Sequence, residues 1–148
     1  MNQKDNAAGV PGVLYGRYQG DTYDGGNPWV LNTASLANLF YRGAAYAKQN
    51  PTKVSAEDLT AWAGVFGETV ALEDLPKALF QAGDAVMYRL YTHVNSDFHL
   101  YEQIDRNTGA KMSAHDLTWS YANTLVSLHE RKAVAALLGE TTSEELIQ

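Results

Sequence analysis

Trp29-Val30-Leu31-Asn32-Thr33-Ala34-Ser35-Leu36-Ala37-Asn38-Leu39-Phe40-Tyr41-Arg42-Gly43-Ala44-Ala45-Tyr46-Ala47 is the stretch that decides how this chain folds. At helical pitch it carries two apolar stripes rather than one. Trp29, Thr33, Leu36, Phe40, Ala44 and Ala47 make the first; Val30, Ala34, Ala37, Tyr41 and Ala45 make the second. Asn32, Ser35, Asn38, Arg42 and Gln49 leave only a narrow polar strip. A helix that is apolar over most of its circumference packs on more than one side. The expected fold is therefore all-α, with this helix lying between others. Asn27-Pro28 supplies its start, with asparagine as the cap and proline at the first position, where no amide donor is needed. Asn50-Pro51 ends it, so the helix is expected from Pro28 to about Gln49.

Downstream, Ser55-Ala56-Glu57-Asp58 has the pattern of a capping box and opens a short helix to about Phe66. Asp74 can cap a third helix, with Pro76 in its first turn. Its inward stripe is Leu75, Leu79, Ala82, Val86, Leu90 and Val94, and Lys77, Gln81, Asp84, Tyr88 and Arg89 form the polar face. Asn95-Ser96-Asp97 breaks it. Residues 99–112 read as a short irregular hairpin turning at Asn107-Thr108-Gly109. Ser113-Ala114-His115-Asp116 reads as another capping box. The last helix should turn Ala114, Leu117, Tyr121, Leu125 and Leu128 inward and run to Leu138, with Gly139 as its stop. Residues 140–148 are expected to fray. Upstream, residues 1–28 read as a long irregular segment, and a loop of that length in a compact domain is usually functional.

Composition sets outer limits. At 148 residues there is room for one domain, and 45% apolar with 19% charged residues argues against disorder. A net charge of −6 with dispersed Lys and Arg argues against a nucleic-acid partner. With no cysteine, thiolate metal sites and cysteine nucleophiles are excluded. No apolar run approaches the roughly 20 residues of a membrane helix, and the first residues lack a signal-peptide pattern. Localisation is left open. The histidines at 93, 99, 115 and 129 show no ligand spacing with a carboxylate, so neither a metal site nor a cofactor is expected. Gly25-Gly26 reads as a turn, since no Lys-Ser or Lys-Thr follows to make a phosphate loop.

Two segments stand apart from this helical frame. Gly16-Arg17-Tyr18-Gln19-Gly20-Asp21-Thr22-Tyr23-Asp24-Gly25-Gly26-Asn27-Pro28-Trp29 and Tyr101-Glu102-Gln103-Ile104-Asp105 set charged side chains among aromatics and loop formers, each ahead of a helix. Such loops on a rigid scaffold are where binding groups concentrate. Rings that stack on a pyranose face, beside planar polar groups that reach its hydroxyls, suit a sugar. Several of these residues also have a plain structural reading. Trp29 can be a hydrophobic anchor, Tyr15 and Tyr18 can be packing, and Asp24, Asp97 and Asp105 read as turn residues. Trp62, Phe66, Phe80 and Met87 read as core.

Gly16 to Tyr23 with Gly26-Asn27-Pro28-Trp29 resembles the glucoamylase family of glycoside hydrolases. Leu100-Tyr101-Glu102-Gln103-Ile104-Asp105, Gly109 and Ser113-Ala114-His115-Asp116-Leu117-Thr118-Trp119-Ser120-Tyr121-Ala122 resemble that family's final catalytic segment. The blocks keep the family's order, and the likeness covers residues 9–131. It implies part of an (α/α)6 toroid, its C-terminal portion, with about four helices, long loops and a short hairpin. It also implies exo-acting, inverting hydrolysis of α-1,4-glucans, so the partner would be an α-glucan or maltooligosaccharide. By resemblance Glu102 is the general base and Gln103 places the sugar or the water. Arg17 and Asp21 bind sugar, Tyr23 and Trp29 line the pocket, and Trp119 buttresses the base. The family's catalytic acid lies in a portion with no counterpart here. Residues 1–148 are accordingly expected to be a partial catalytic domain, inactive alone, that pairs with the missing N-terminal portion or with itself. Gln19-Gly20 and His115 depart from the Pro-acidic pair and the Arg of fungal members. A non-catalytic helical protein that binds saccharide or a partner subunit is the alternative.

Overall fold

The computed structural model describes residues 1–94 and 96–140. The expected break at Asn95 and most of the expected frayed tail fall outside them. The described chain is all-α apart from one hairpin of two short strands. Its helices are α1 (Asn2–Ala7), α2 (Val30–Gln49), α3 (Ala56–Phe66), α4 (Leu75–Val94) and α5 (Thr118–Leu138). Strands β1 (Gln103–Ile104) and β2 (Lys111–Met112) pair antiparallel, Gln103 opposite Met112. No helix among the described residues is long and apolar enough to cross a membrane.

Helix α2 is the hub. It packs along α4 on one side and α5 on another, while α4 and α5 barely meet. Both apolar stripes are thereby used, with Val30, Thr33, Ala34, Ala37, Phe40, Tyr41, Ala44 and Ala47 all buried. Alanines on α2 let its neighbours come close, and Gly83 on α4 takes this furthest: a Cβ there would stand 2.5 Å from the Tyr41 ring. Phe40, Ala44, Ala47, Leu79, Phe80 and Val134 make the main core, and Trp62 and Phe66 of α3 pack partly buried against it. Burial of such side chains, at ~25 cal/mol per Å² of apolar surface, is the main favourable term holding the helices together. A second, smaller core of Leu14, Val30, Ala34, Leu90, Val94, Leu100 and Ile104 lies under the hairpin and carries the loops.

Local signals were reliable where no distant partner competed. Ser55 and Asp58 form the expected reciprocal capping box, Gly67 closes α3 in the left-handed region, and Gly139 does the same for α5. Five expectations need correction. Residues 2–7 are helical, because Asn2 pairs with both backbone groups of Leu14 at 2.7 and 2.8 Å and so ties α1 to the body. Helix α2 starts at Val30 with Trp29 as an uncapped first flank; Asn27 and Pro28 are instead engaged by the hairpin. Ser113–Asp116 caps nothing: α5 begins at Thr118 after Leu117, and the would-be cap side chains have tertiary partners.

The last two corrections concern faces. Arg89, assigned to a polar face, is 1% exposed. Its guanidinium donates to Pro11 O at 3.0 Å, Asn2 Oδ1 at 3.1 Å, Asn6 Oδ1 at 2.6 Å and Val10 O. Burial lowers its proton affinity, yet the ring of carbonyls keeps the cation satisfied. Gly12 allows this strap to lie on α4, since its φ is +82° and a Cβ would meet Ala85 O at 2.2 Å. On α5 the expected inward stripe holds at Tyr121, which packs partly buried against the second core, but turns outward beyond it, with Leu125 64% exposed and Val126 and Leu128 also exposed. The inner face is Ser120, Ser127, Arg131, Val134 and Ala135. Ser127 Oγ reaches Ala34 O at 2.7 Å, so a small donor fits the close α2–α5 approach where leucine would not.

Candidate functional site

A backbone mesh brings four separate stretches to one corner of the molecule. Trp29 N–H donates to Tyr15 O (3.0 Å), Val30 N–H to Glu102 O (3.1 Å) and Ile104 N–H to Pro28 O (3.0 Å). Glu102 N–H donates to Ala114 O (2.9 Å), and Leu117 N–H to Leu100 O (3.0 Å). Trp29 also forms a bridge opposite Gln103. The aromatic loop, the start of α2, the hairpin and the loop before α5 thus share one frame.

Glu102 is half-buried at this corner. Its carboxylate accepts hydrogen bonds from Ser113 Oγ and from Gln103 Nε2 at 3.2 Å. Both donors meet the same oxygen, Oε2. Gln103 is fully buried. Its Nε2 donates to Asp24 Oδ2 (3.2 Å) as well as Glu102, and its Oε1 accepts from Asn27 Nδ2 (3.0 Å). Asn27 in turn donates to Asp24 O (2.7 Å) and accepts from Arg106 N–H (3.1 Å). Three non-glycine residues around this network, Asp24, Ser113 and Asp116, have positive φ values of 49°, 67° and 50°. That backbone region is uncommon for residues with a Cβ and is held there by surrounding structure.

Arg17 heads the second cluster. It grips Asp21 with two parallel bonds of 2.7 Å, and the Asp21 side chain is 5% exposed against 30% for Arg17. The hydrogen-bonded guanidinium holds the Asp21 carboxyl below the usual carboxylate range, helped by the Tyr23 N–H at 3.0 Å. The guanidinium carbon lies 4.7 Å from the centre of the Tyr23 ring and 5.4 Å from those of Trp29 and Tyr18. Trp29 and Trp119 meet at 6.1 Å between ring centres, tilted by 40°. Of five guanidinium N–H donors, two are used on Asp21, which leaves three for a ligand. Tyr18, Tyr23 and Trp119 keep open faces, while Trp29 is buried as a floor. An adjoining cavity of about 600 Å³ is lined by Lys4, Arg17, Asp21, Asn27 and Arg106, but not by Glu102 or the tryptophans.

The glycosyl hydrolases family 15 model matches residues 2–129 of this sequence. The chain belongs to that family. Among family 15 relatives, it is 32% identical to a glucoamylase of Blastobotrys adeninivorans, over 88% of this chain and 24% of that protein. It is also 32% identical to glucoamylase P of Amorphotheca resinae, over 85% of this chain and 23% of that one. The solved Hormoconis resinae glucoamylase superposes with a TM-score of 0.72 at 28% identity, over 90% of this chain and 26% of that structure. The chain thus spans about a quarter of the length of the relatives it matches, and its likeness to part of the family 15 (α/α)6 toroid is borne out.

Every residue singled out from the family 15 resemblance lies at this corner, in two linked groups: Glu102 with Gln103, and Arg17, Asp21, Tyr23, Trp29 and Trp119. Trp119 meets Trp29 ring to ring. Sequence reasoning missed Asn27, Ser113 and Asp24 as members of the Glu102 network. Asn27 and Ser113 had been absorbed into helix caps, and Asp24 into a turn. Their clue was position: all three fall inside the two family blocks. The histidines also have carboxylate partners that spacing did not show. His93 Nε2 lies 3.1 Å from Asp5, His99 Nδ1 2.8 Å from Asp116, and His115 Nδ1 3.1 Å from Asp116.

Proposed function

We propose that this chain supplies the general base and one wall of the sugar pocket for inverting hydrolysis of α-1,4-glucans, releasing glucose from the non-reducing end. One observation carries the reading. In a family 15 chain, the Glu102 carboxylate sits in a polar clasp one residue from the Gln103–Trp29 bridge, and the Trp29 ring lies 5.4 Å from an arginine with three unused donors. Inversion needs a base that takes a proton from water on one face of the sugar and an acid that protonates the leaving oxygen on the other. The two carboxyl groups then stand about 6.5–9.5 Å apart. Glu102 takes the first role, and Gln103 orients it. Asp24 is tied to the same amide as Glu102, on the base's own side, so it serves to fix Gln103 and is not the acid. Arg17, locked by Asp21, offers a planar fork to paired hydroxyls. Its charge opposes a cationic transition state, so it binds and does not stabilise that charge. Tyr23 lines the pocket, Trp29 forms its floor, and Trp119 packs on Trp29 to buttress the base's side.

The acid has no counterpart in these residues, so the isolated chain binds sugar and turns it over poorly. The exposed Leu125, Val126 and Leu128 stripe on α5 is where the remainder of the domain, or a second copy, would cover apolar surface. Glucose release from maltotriose, measured with and without a polypeptide carrying the remainder of a family 15 domain, tests the reading. Activity should appear only in the mixture and fall by on the order of a thousandfold in Glu102→Gln. Turnover by the chain alone that survives Glu102→Gln would refute it. The binding-only alternative predicts maltotriose binding through Arg17 and Trp29 with no activity in either arm.

A further inference from the structure

We propose that His99, His115 and Asp116 form a binding site for a divalent transition-metal ion of the zinc type. The three residues come from both sides of the hairpin, and one ligand atom from each lies within 4.8 Å of the other two. Asp116 sits between the rings, with Oδ1 2.8 Å from His99 Nδ1 and Oδ2 3.1 Å from His115 Nδ1. The imidazoles are 4.9 Å apart at their centres and tilted by only 34°. A tetrahedral ion with ligand bonds near 2.0–2.1 Å separates its donor atoms by about 3.4 Å. The two nitrogen–oxygen separations of 2.8 and 3.1 Å therefore need to open by roughly half an ångström or less to admit it, and all three ligand atoms already lie within 4.8 Å of one another.

The surroundings hold the set in place. Tyr121 OH donates to Asp116 Oδ1 and accepts from Leu100 N–H at 3.1 Å, so the carboxylate is oriented by a fixed neighbour, as metal-bound carboxylates are. Tyr101 meets the His115 ring edge-on at 4.6 Å. The backbone of Asp116 is left-handed, with φ +50°. Lys111, the nearest rival cation, is taken by Asp97 and lies over the Tyr101 ring, leaving Asp116 free of it. All three ligands are exposed, so the ion can enter from solution and fill its remaining positions with water. Two imidazoles and one carboxylate select zinc, nickel or copper, whereas magnesium and calcium favour all-oxygen shells.

The consequence for the hairpin is a clamp. His99 precedes Leu100-Tyr101-Glu102, and Ala114, beside His115, accepts the Glu102 N–H. An ion held by these three side chains joins the two backbone stretches that flank Glu102, without touching Glu102 itself. Without metal, the same residues are a surface His–Asp–His hydrogen-bonded set.

The test uses the tag-free chain titrated with Co(II), read by its visible d–d absorption, followed by displacement with Zn(II). The expected result is one equivalent bound, with affinity reduced at least tenfold in each of His99→Ala, His115→Ala and Asp116→Asn; asparagine tolerates the positive φ. His129→Ala, on the exposed face of α5, should bind as the parent does. In the unsubstituted protein, Zn(II) should shift the ring signals of His99 and His115 and leave those of His93 and His129 in place. No visible band in the parent, a band that survives the His99→Ala/His115→Ala pair, or shifts confined to other histidines would each overturn the proposal. Magnesium binding at equal affinity would overturn the zinc-type assignment.

Discussion

Two arginine–aspartate pairs in this protein have the same geometry and opposite surroundings. Arg17 and Asp21 pair on a loop, and Arg131 and Asp84 pair between α5 and α4; each makes two bonds of 2.7 Å. Around Arg131 the guanidinium is turned inward, 7% exposed against 30% for Arg17. Tyr41 OH donates to Asp84 Oδ1 at 2.8 Å, burial pushes that phenol far above its ordinary range, and the guanidinium lies 5.2 Å over the Phe80 ring. Around Arg17 the rings leave faces open and three donors unused. The Arg131 pair fastens three helices; the Arg17 pair leaves a fork ready for a ligand. An ion pair is thus not functional or structural by its own geometry. What decides is whether its unused donors can reach solvent.

Removing the buried cation should have the largest effect on stability. Arg131→Ala strands Asp84 and Tyr41 in a tight seam and should cost about 3 kcal/mol, measured as a lower urea midpoint with an unchanged slope. Arg17→Lys should leave that midpoint in place. It replaces the fork with a point charge and should weaken maltotriose binding by roughly tenfold in calorimetry. An equal loss of stability in both variants would erase the contrast. Trp119→Ala removes one open ring and should weaken the same binding by roughly threefold, read by quenching of the remaining tryptophans.

The smallest effect is on acid stability. The Asp21 carboxyl is held below its ordinary 3.8 by Arg17, so its contribution is present above that value. It is lost as the pH falls through the depressed folded value. Melting temperatures taken from pH 5 downward should therefore decline below pH 3.8, and Asp21→Asn should make that part of the profile shallower. A profile unchanged by the substitution would show that Asp21 is not differentially protonated on folding.

Where sequence reading succeeded, the determining contacts were near neighbours along the chain. The double stripe of α2 needed only helical pitch, and Ser55 with Asp58 needed only three residues. The failures share one cause, which is competition from distant partners. Ser113 and Asp116 have a cap-like spacing, but Glu102, His99 and Tyr121 hold their side chains. Asn27 looked like a cap and instead serves Gln103, 76 residues away. Arg89 looked solvent-facing until residues 2–11 folded over it. On α5, a stripe rule that favours leucine inside was overridden by the closeness of α2, which admits serine. Within the candidate site, the family blocks located Glu102, Gln103, Arg17, Asp21, Tyr23, Trp29 and Trp119 together. They did not reveal how the first loop reaches across to the hairpin.

That reach runs through the amide of Gln103, which has a direction. Its oxygen is turned toward Asn27, so both hydrogens must face Asp24 and Glu102, and rotating the amide would set like atoms against each other on every side. One neutral side chain therefore acts as a strut between two acidic ones, donating to each while its own oxygen is held from behind. A glutamate at that place would have no amide hydrogens to offer, and both the loop and the hairpin would lose the tie between them. Position 103 is in this sense a one-way fastener, whose orientation sets where both neighbouring acids point.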